Sequence, residues 1–219
     1  MRERLAERFP RTVADVTVVL HHGAPSLALS NPAVALTWLL TAPSARRYVA
    51  GWAYGAELHV LAPGALQTRA SNVPGSREML ALTAPALYAR RVIVENNRDL
   101  PRALTPARLA AELRWAWLLE GAGRWFAGQV KHARPAIGRR LREGRRPDFP
   151  PGLRDAALLG GTVIDLLARE EGERAAAQFV THLHPQGPRA ALTRAFGGRS
   201  LVHTEGAWRS HLARMASAS

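Results

Sequence analysis

The sequence predicts an α+β fold, in which a small N-terminal β-sheet is followed by a mostly helical half. Two patterns indicate this division. Stretches that alternate apolar and polar residues and are rich in β-branched types lie in the first third of the chain. From about Thr83 onward, apolar residues recur at helical spacing. We therefore expect a single domain over 1–219, with a mixed α/β part at 1–75 and a helical part at 76–219.

Three strands are predicted in the mixed part. The first covers Val13 to Leu20, and the other two cover Arg47 to Tyr54 and Ala56 to Ala62. Between the first strand and this pair, Pro32 to Leu40 is predicted as a short buried helix. Asn31 is its predicted N-cap, because a side-chain oxygen there can accept a hydrogen bond from the first turn.

The helical part begins with a predicted helix over Ala84 to Asn96. Thr83 is its predicted cap, because Pro85 is tolerated only in the first turn of a helix. Asp148 to Gly152, which contains two prolines and directly follows Pro147, is either a linker or an interhelical loop. Further helices are predicted at 153–169, 172–182, 188–196 and 204–214.

The clearest helix start lies between these regions. Thr105 can cap the helix, Pro106 occupies its first position, and Leu104 and Leu109 are spaced for a hydrophobic staple. One face of this helix then carries Leu109, Leu113, Ala116, Trp117 and Glu120.

Two glycine pairs interrupt the helical patterns. Gly121 and Gly123 are expected to loosen or bend the helix that contains them. Gly160 and Gly161 are expected to permit close packing of their helix against a neighbour.

The chain carries a net charge of +13, which is compatible with binding to nucleic acid or to an anionic surface. Lys131 is the only lysine, and arginine enrichment with abundant Ala, Gly and Pro is also what a GC-rich genome produces. There are no cysteines, which excludes disulfides and thiolate metal sites.

No targeting or membrane segment is predicted. The charged N-terminus leads into no apolar stretch of the kind that a signal peptide requires. The longest weakly polar stretch, Pro32 to Pro43, is too short to span a bilayer. We therefore expect a cytoplasmic protein without a transmembrane segment.

Trp117 to Phe126 (WLLEGAGRWF) resembles the W-L-x-E-G-x-A-x-x-F segment of thermolysin-like metallopeptidases, the gluzincins. In that family, this segment follows the zinc-binding helix and its glutamate is the third zinc ligand. Leu158 to Val180 looks like the helix pair that comes later in these enzymes, and Leu192 to Leu212 is similar to their closing segment. The resemblance implies a zincin-like fold, with Glu120 in the position of the third ligand.

The zinc-binding sequence of that family is missing. The family chemistry requires H-E-x-x-H on one helix, because two imidazoles must bind zinc while the glutamate activates the metal-bound water. In one register, Ala84 to Tyr88 fills this slot and Tyr88 replaces the second histidine, although the distance to Glu120 is longer than usual. A rival register retains Glu112, but eight residues on one helix would separate it from Glu120 by about 12 Å.

The resemblance therefore implies a vestigial site at Tyr88 and Glu120, with no metal, no cofactor and no catalytic residue. Glu120 is expected to be partly buried and to need a partner, since an unpaired buried carboxylate is costly. The candidate partners are the Tyr88 hydroxyl and a guanidinium such as that of Arg91 or Arg124. The competing interpretation places Glu120 in solvent at a helix end.

Residues 131–146 form the densest charge cluster, with Ile137 and Leu141 as its predicted apolar anchors. The candidate anion-binding residues are Lys131, Arg134, Arg139, Arg140, Arg142, Arg145 and Arg146. They are suited to phosphates or anionic lipid, whereas the absence of interleaved aromatic residues disfavours base recognition. The competing interpretation is a solvated helix face that binds anions only weakly and non-specifically.

Two histidine pairs complete the candidates. His21-His22 ends the first strand and His182-x-His184 ends a helix, and either pair has a spacing that can share a metal. Because no Asp or Glu is close in sequence, ordinary surface or helix-end histidines are expected. No serine lies in a Gly-x-Ser-x-Gly elbow, and no phosphate-binding glycine loop follows a strand.

Three functions remain open from the sequence. The first is a pseudopeptidase, which keeps a vestigial cleft as a binding or scaffolding surface for a peptide or protein. The second is a basic module that binds nucleic acid or anionic membrane through residues 131–146. The third is a hydrolase that uses an unrecognised site.

Overall fold

The computed structural model describes residues 1–101 and 105–217, and the strands in it lie in the first third of the chain. These strands are β1 (Thr17–His21), β2 (Gly51–Tyr54) and β3 (Glu57–Leu61). They form a three-stranded sheet in the order β1–β3–β2, with β1 parallel and β2 antiparallel to β3. All three predicted strands are confirmed, although each is shorter than the sequence pattern suggested.

The rest of the described chain is largely helical. A 3-10 helix spans Gln129–His132. The α-helices are α1 (Arg2–Ala6), α2 (Ala24–Ser30), α3 (Pro32–Leu40), α4 (Pro43–Arg46), α5 (Pro63–Arg69), α6 (Ser76–Ala81), α7 (Thr83–Asn96), α8 (Pro106–Arg114), α9 (Ala116–Phe126), α10 (Arg134–Arg142), α11 (Leu153–Glu171), α12 (Glu173–Phe179), α13 (Pro188–Ala195) and α14 (Leu201–Ser217). The predicted α+β class is confirmed.

Two of the three predicted helix caps are confirmed. Asn31 and Thr105 accept hydrogen bonds from backbone N–H groups in the first turns of α3 and α8, at 2.9 and 3.2 Å. Thr83 is wrong as a cap, since α7 begins at this residue and its hydroxyl donates to the carbonyl of Leu80 at 2.7 Å. The predicted staple residue Leu104 lies outside the described residues.

Helices α9 and α11 pack together at the centre of the helical part. A Cβ atom at Gly121 or Gly160 would overlap the backbone of the facing helix, so these glycines set the approach of the two helices. The predicted packing role of the Gly160 pair is therefore confirmed. The predicted bend at Gly121 and Gly123 is wrong, because α9 runs uninterrupted to Phe126. The break occurs instead at Trp115, which separates α8 from α9.

The proline-rich stretch at 148–152 is an interhelical loop between α10 and α11. Phe149 is buried in it and packs on Trp208 of α14, with ring centroids 5.1 Å apart. The Trp208 indole in turn donates to the hydroxyl of Thr162 on α11 at 2.8 Å. The loop is therefore anchored to the core.

Asp165 is the centre of a polar cluster between α9, α11 and α14. Its carboxylate lies 2.8 Å from Nε of Arg169 and 3.0 Å from Nε2 of His211, and it accepts from the indole of Trp125 at 3.3 Å. Burial by itself would raise the pKa of Asp165, but hydrogen bonds from His211 and Arg169 and their charges lower it to about 2. The ionised carboxylate is therefore favoured in the folded chain.

Replacing Asp165 with Asn is expected to lower the free energy of unfolding by about 2 kcal/mol at neutral pH. The folded pKa lies below the unfolded value of about 3.9, so this stabilisation is present above that value and is lost as pH falls toward 2. Urea denaturation of both proteins over this pH range measures the effect. Asp148→Asn is the control, since Asp148 forms an exposed ion pair with Arg145. This substitution should change the free energy of unfolding little. A difference at Asp165 that persists unchanged at low pH would contradict the assignment.

Candidate functional site

The predicted site residues Tyr88 and Glu120 lie on α7 and α9, which pack closely. Gly123 permits this packing, because a Cβ there would approach the carbonyl oxygen of Ala86 to 2.7 Å. The Tyr88 hydroxyl nevertheless donates to the carbonyl of Val13 at 2.9 Å. The predicted bond from Tyr88 to Glu120 is therefore wrong.

Glu120 pairs with Arg90. The Nε atom of Arg90 lies 2.6 Å from Oε1 of Glu120, and the Glu120 side chain is 29% exposed. The predictions of partial burial and of an arginine partner are confirmed, but the named arginines are wrong. Arg91 donates to the carbonyl of Gly55 at 2.6 Å, and Arg124 donates to the carbonyl of Tyr48 at 2.9 Å. Arg90 faces α9 because it follows Ala86 by one helical turn.

A second carboxylate, that of Glu112, reaches the same guanidinium. Its Oε2 lies 3.3 Å from Nη2 of Arg90, and its Oε1 accepts from Arg108 at 2.8 Å. The sequence placed Glu112 and Glu120 on one straight helix, too far apart to share an ion. The break at Trp115 separates their helices, and the planar guanidinium offers separate N–H groups to the two carboxylates.

The side chains of Arg90 and Arg124 are both desolvated by burial in this cluster. Burial by itself would lower the pKa of Arg90, but the charges of Glu120 and Glu112 raise it above its usual value. Burial lowers the pKa of Arg124, and Glu120 opposes this shift. Both guanidinium groups stay charged, since arginine is not deprotonated in proteins.

An apolar groove opens above this cluster, with a cavity volume of about 210 Å³. Arg90, Glu112, Glu120 and Arg124 all contribute to its lining. Its rim carries five leucines that are each at least 40% exposed, Leu36, Leu40, Leu109, Leu113 and Leu153. The sequence placed Leu109 and Leu113 on one face of a single long helix, together with the partly buried Glu120. That assignment is wrong, because they lie on α8 before the break and are 61% and 47% exposed.

The strand β2 forms one wall of the groove and lies at the edge of the sheet. Alternate residues of an antiparallel strand turn their N–H and C=O groups toward the partner strand. Leu61 donates its N–H to the carbonyl of Ala50 at 3.1 Å. The register then shows that the even-numbered residues of β2 direct their main-chain N–H and C=O groups toward β3. Gly51 and Ala53 therefore direct their main-chain groups away from β3, toward the edge that no strand of the described residues pairs with.

A larger cavity of about 860 Å³ lies beside the groove and shares Trp52, Ala53, Arg90 and Glu112 with it. Arg11, Arg98 and His182 are among its other lining residues. The groove and the larger cavity are therefore both lined by the ion-paired Arg90.

The basic segment divides into a buried and an exposed set. Arg140 is 1% exposed and forms two bonds to the carboxylate of Asp155, so its prediction as an anion-binding residue is wrong. Of the predicted anchors, Ile137 is buried, whereas Leu141 is exposed and is not an anchor. The exposed cations are Lys131, Arg134, Arg139, Arg142, Arg145 and Arg146, of which Arg139 and Arg145 lie within 3.5 Å of an acidic side chain.

The histidine pairs differ from each other. His182 lies 3.5 Å from Asp99 and is exposed, as a helix-end histidine is expected to be. His21 is buried and bonds to His59, so its prediction as a surface histidine is wrong. Within residues 1–101 and 105–217, no three His, Asp or Glu side chains form a group that could hold a metal ion. None of the helices in these ranges is both long and apolar enough to cross a membrane.

The chain matches no known protein family, no curated protein and no solved structure at a significant level of similarity.

Proposed function

We propose that this chain is a relative of the thermolysin-like metallopeptidases that lacks their zinc peptidase activity and binds an extended peptide in the leucine-rimmed groove. The observation that carries the proposal is the free edge of β2 beside an apolar groove. Main-chain groups at such an edge can pair with an added strand, while neighbouring pockets accept its alternate side chains.

The ion cluster supports binding without hydrolysis. In the family, two histidines and a glutamate hold a zinc ion that polarises the substrate and activates water. Here the glutamate in the third-ligand position, Glu120, faces the guanidinium of Arg90. A guanidinium donates hydrogen bonds but offers no open coordination position for a water molecule. The cluster therefore orders the floor of the groove without supplying the family's chemistry.

The exposed leucines support a peptide as the occupant. Contiguous apolar surface of this kind on a folded chain marks a binding site, since leaving it in water is unfavourable. Leu36 and Leu40 lie on α3, whereas Leu109 and Leu113 lie on α8, so apolar side chains flank the groove from two helices. A strand seated against β2 would bury them.

The proposal predicts that a blocked peptide of alternating Leu and Ser residues binds the chain and that Leu113→Glu weakens this binding about tenfold, or about 1.4 kcal/mol. A carboxylate at the rim would oppose burial of the leucine side chains of the peptide. Fluorescence anisotropy with a labelled peptide measures the affinity. Val202→Glu on α14, where Val202 is 80% exposed and outside the groove, is the matched control.

The main-chain contribution is tested with the same peptide carrying N-methyl groups on alternate residues. Methylation of the residues that pair with β2 removes donors and should abolish binding, whereas methylation of the intervening residues should be tolerated. Equal affinities for the two methylated peptides, or equal effects of the two glutamate substitutions, would reject the proposed mode.

A further inference from the structure

A row of polar side chains lies on one face of the sheet, outside the groove. Glu57 and His59 alternate along β3, and the parallel register aligns His59 with Val19 of β1. Because His21 is two residues beyond Val19, it lies on the same face as Glu57 and His59. Helix α2, which packs against β1 and β3, brings Ser26 to the end of this row.

These side chains form a continuous hydrogen-bond chain. Nε2 of His59 lies 3.0 Å from Oε2 of Glu57, and Nδ1 of His59 lies 3.0 Å from Nε2 of His21. Nδ1 of His21 lies 3.1 Å from Oγ of Ser26. One assignment of protons satisfies all three contacts. The carboxylate accepts from His59, His59 accepts from His21, and His21 accepts from the Ser26 hydroxyl.

The environment of His21 suits a base. Burial lowers the pKa of His21, and the nearby His59 and His22 lower it further. The imidazole is therefore neutral near pH 7 and can accept a proton. Ser26 is exposed at the outer end of this row of hydrogen-bonded side chains, where a reagent in solution can reach its hydroxyl.

We propose that Ser26 is a nucleophile that takes the acyl group of a small carboxylic ester, with His21 as its general base. His59 and Glu57 act as positioning residues, because they hold His21 in the tautomer that accepts the serine proton and stabilise the imidazolium. A small ester is the expected substrate because Ser26 is exposed and lines neither of the two cavities. This activity goes beyond the proposed peptide binding and does not depend on it.

The reaction balances without any other reactant than water. Oγ of Ser26 bonds to the carbonyl carbon while its proton passes to Nδ1 of His21. The tetrahedral intermediate then expels the alcohol, which takes this proton, and leaves an acyl-serine. Water attacks the acyl group, gives its proton to His21, and releases the carboxylic acid as the proton returns to Oγ of Ser26.

The chain offers an internal control for this chemistry. Ser200 is exposed, and its Oγ lies 2.9 Å from Nδ1 of His203, so it has an imidazole neighbour. That imidazole makes no further side-chain bond among the described residues, whereas His21 is linked to a carboxylate through His59. If reactivity requires the complete series of hydrogen bonds from Glu57 to Ser26, Ser26 should react and Ser200 should not.

The test uses a fluorophosphonate probe with peptide mapping, and the initial rate of p-nitrophenyl acetate hydrolysis. We expect labelling at Ser26, its loss in Ser26→Ala, and unchanged ester hydrolysis in Ser200→Ala. Glu57→Gln should lower the rate about tenfold, which is less than the 10²–10⁴-fold typical of removing a general base. It should also shift the pH midpoint of the rate downward, because His21 loses a stabilising negative charge.

The folding risk differs among these variants. His21 is buried, so the test depends on Ser26 and Glu57, whose side chains are accessible and whose replacement should leave the fold intact. Equal labelling of Ser26 and Ser200, unchanged hydrolysis in Ser26→Ala, or a wild-type rate and pH midpoint in Glu57→Gln would each overturn the proposal.

Discussion

Replacing Arg140 with Gln is expected to lower the free energy of unfolding by about 3–5 kcal/mol, because it leaves a buried carboxylate without its cation. Nε and Nη2 of Arg140 lie 2.6 and 2.8 Å from the two carboxylate oxygens of Asp155. Nη1 donates to the carbonyls of Glu143 and Arg145 at 3.0 and 3.1 Å. The guanidinium thus ties α10 to α11 and holds the chain that follows α10. Urea denaturation measures the loss.

Arg139→Gln is the matched control, since Arg139 is the neighbouring residue on α10 and its side chain is 48% exposed. Its replacement should change the free energy of unfolding by less than about 0.5 kcal/mol. Replacing Arg140 and Asp155 together by apolar residues should recover much of the loss, because no unpaired charge then remains buried. Equal losses in Arg139→Gln and Arg140→Gln would show that the ion pair does not stabilise the fold.

The basic segment shows what a local pattern can and cannot predict. The sequence interpretation treated its cations as one exposed set. Helical spacing carries a signal that separates them, because Arg140 follows Ala136 and Ile137 by four and three residues and so shares their face. Both of these residues are buried. The partner Asp155, however, is on another helix, and spacing within one helix does not reveal it.

The sheet and many of the helices could be predicted because their signals are local. Alternation marked the strands, and Asn31 and Thr105 marked helix starts through bonds within the first turn. The groove could not be predicted, because it depends on the break at Trp115. Neither proline nor glycine occurs at this break, and the apolar stripe through Leu109 and Leu113 has the spacing of a core-facing helix.

The candidate site was predicted only in part, because some of its features follow from local patterns and others depend on tertiary packing. Partial burial of Glu120 was expected from the helix face that it shares with Ala116 and Trp117, and burial of a carboxylate requires a partner. The choice among Arg90, Arg91 and Arg124 depends on how α7 is rotated against α9, which is a property of tertiary packing. The hydrogen-bonded row from Glu57 to Ser26 was not predicted for a similar reason, since the register of β1 on β3 brings its members together.

Replacing Gly160 with Ala is expected to lower the free energy of unfolding by about 3 kcal/mol, at the upper end of what overpacking usually costs. The new Cβ would overlap the backbone of Trp117 on α9 and would lie 3.1 Å from Cα of Gly121. Backbone atoms cannot move aside as a flexible side chain can, so α9 and α11 would have to separate. That separation would reduce the packing of Leu118 and Leu159, both of which are fully buried.

The same substitution at Gly206 on α14 should have the opposite sign. A Cβ at Gly206 meets no atom within 4 Å, and alanine is favoured over glycine in a helix by about 0.5–1 kcal/mol. Gly206→Ala should therefore raise the thermal midpoint slightly, whereas Gly160→Ala should lower it by several degrees. Shifts of the same sign at both positions would mean that helix propensity outweighs the contact between α9 and α11. Opposite signs would show that the space at Gly160 is needed for the two central helices to pack.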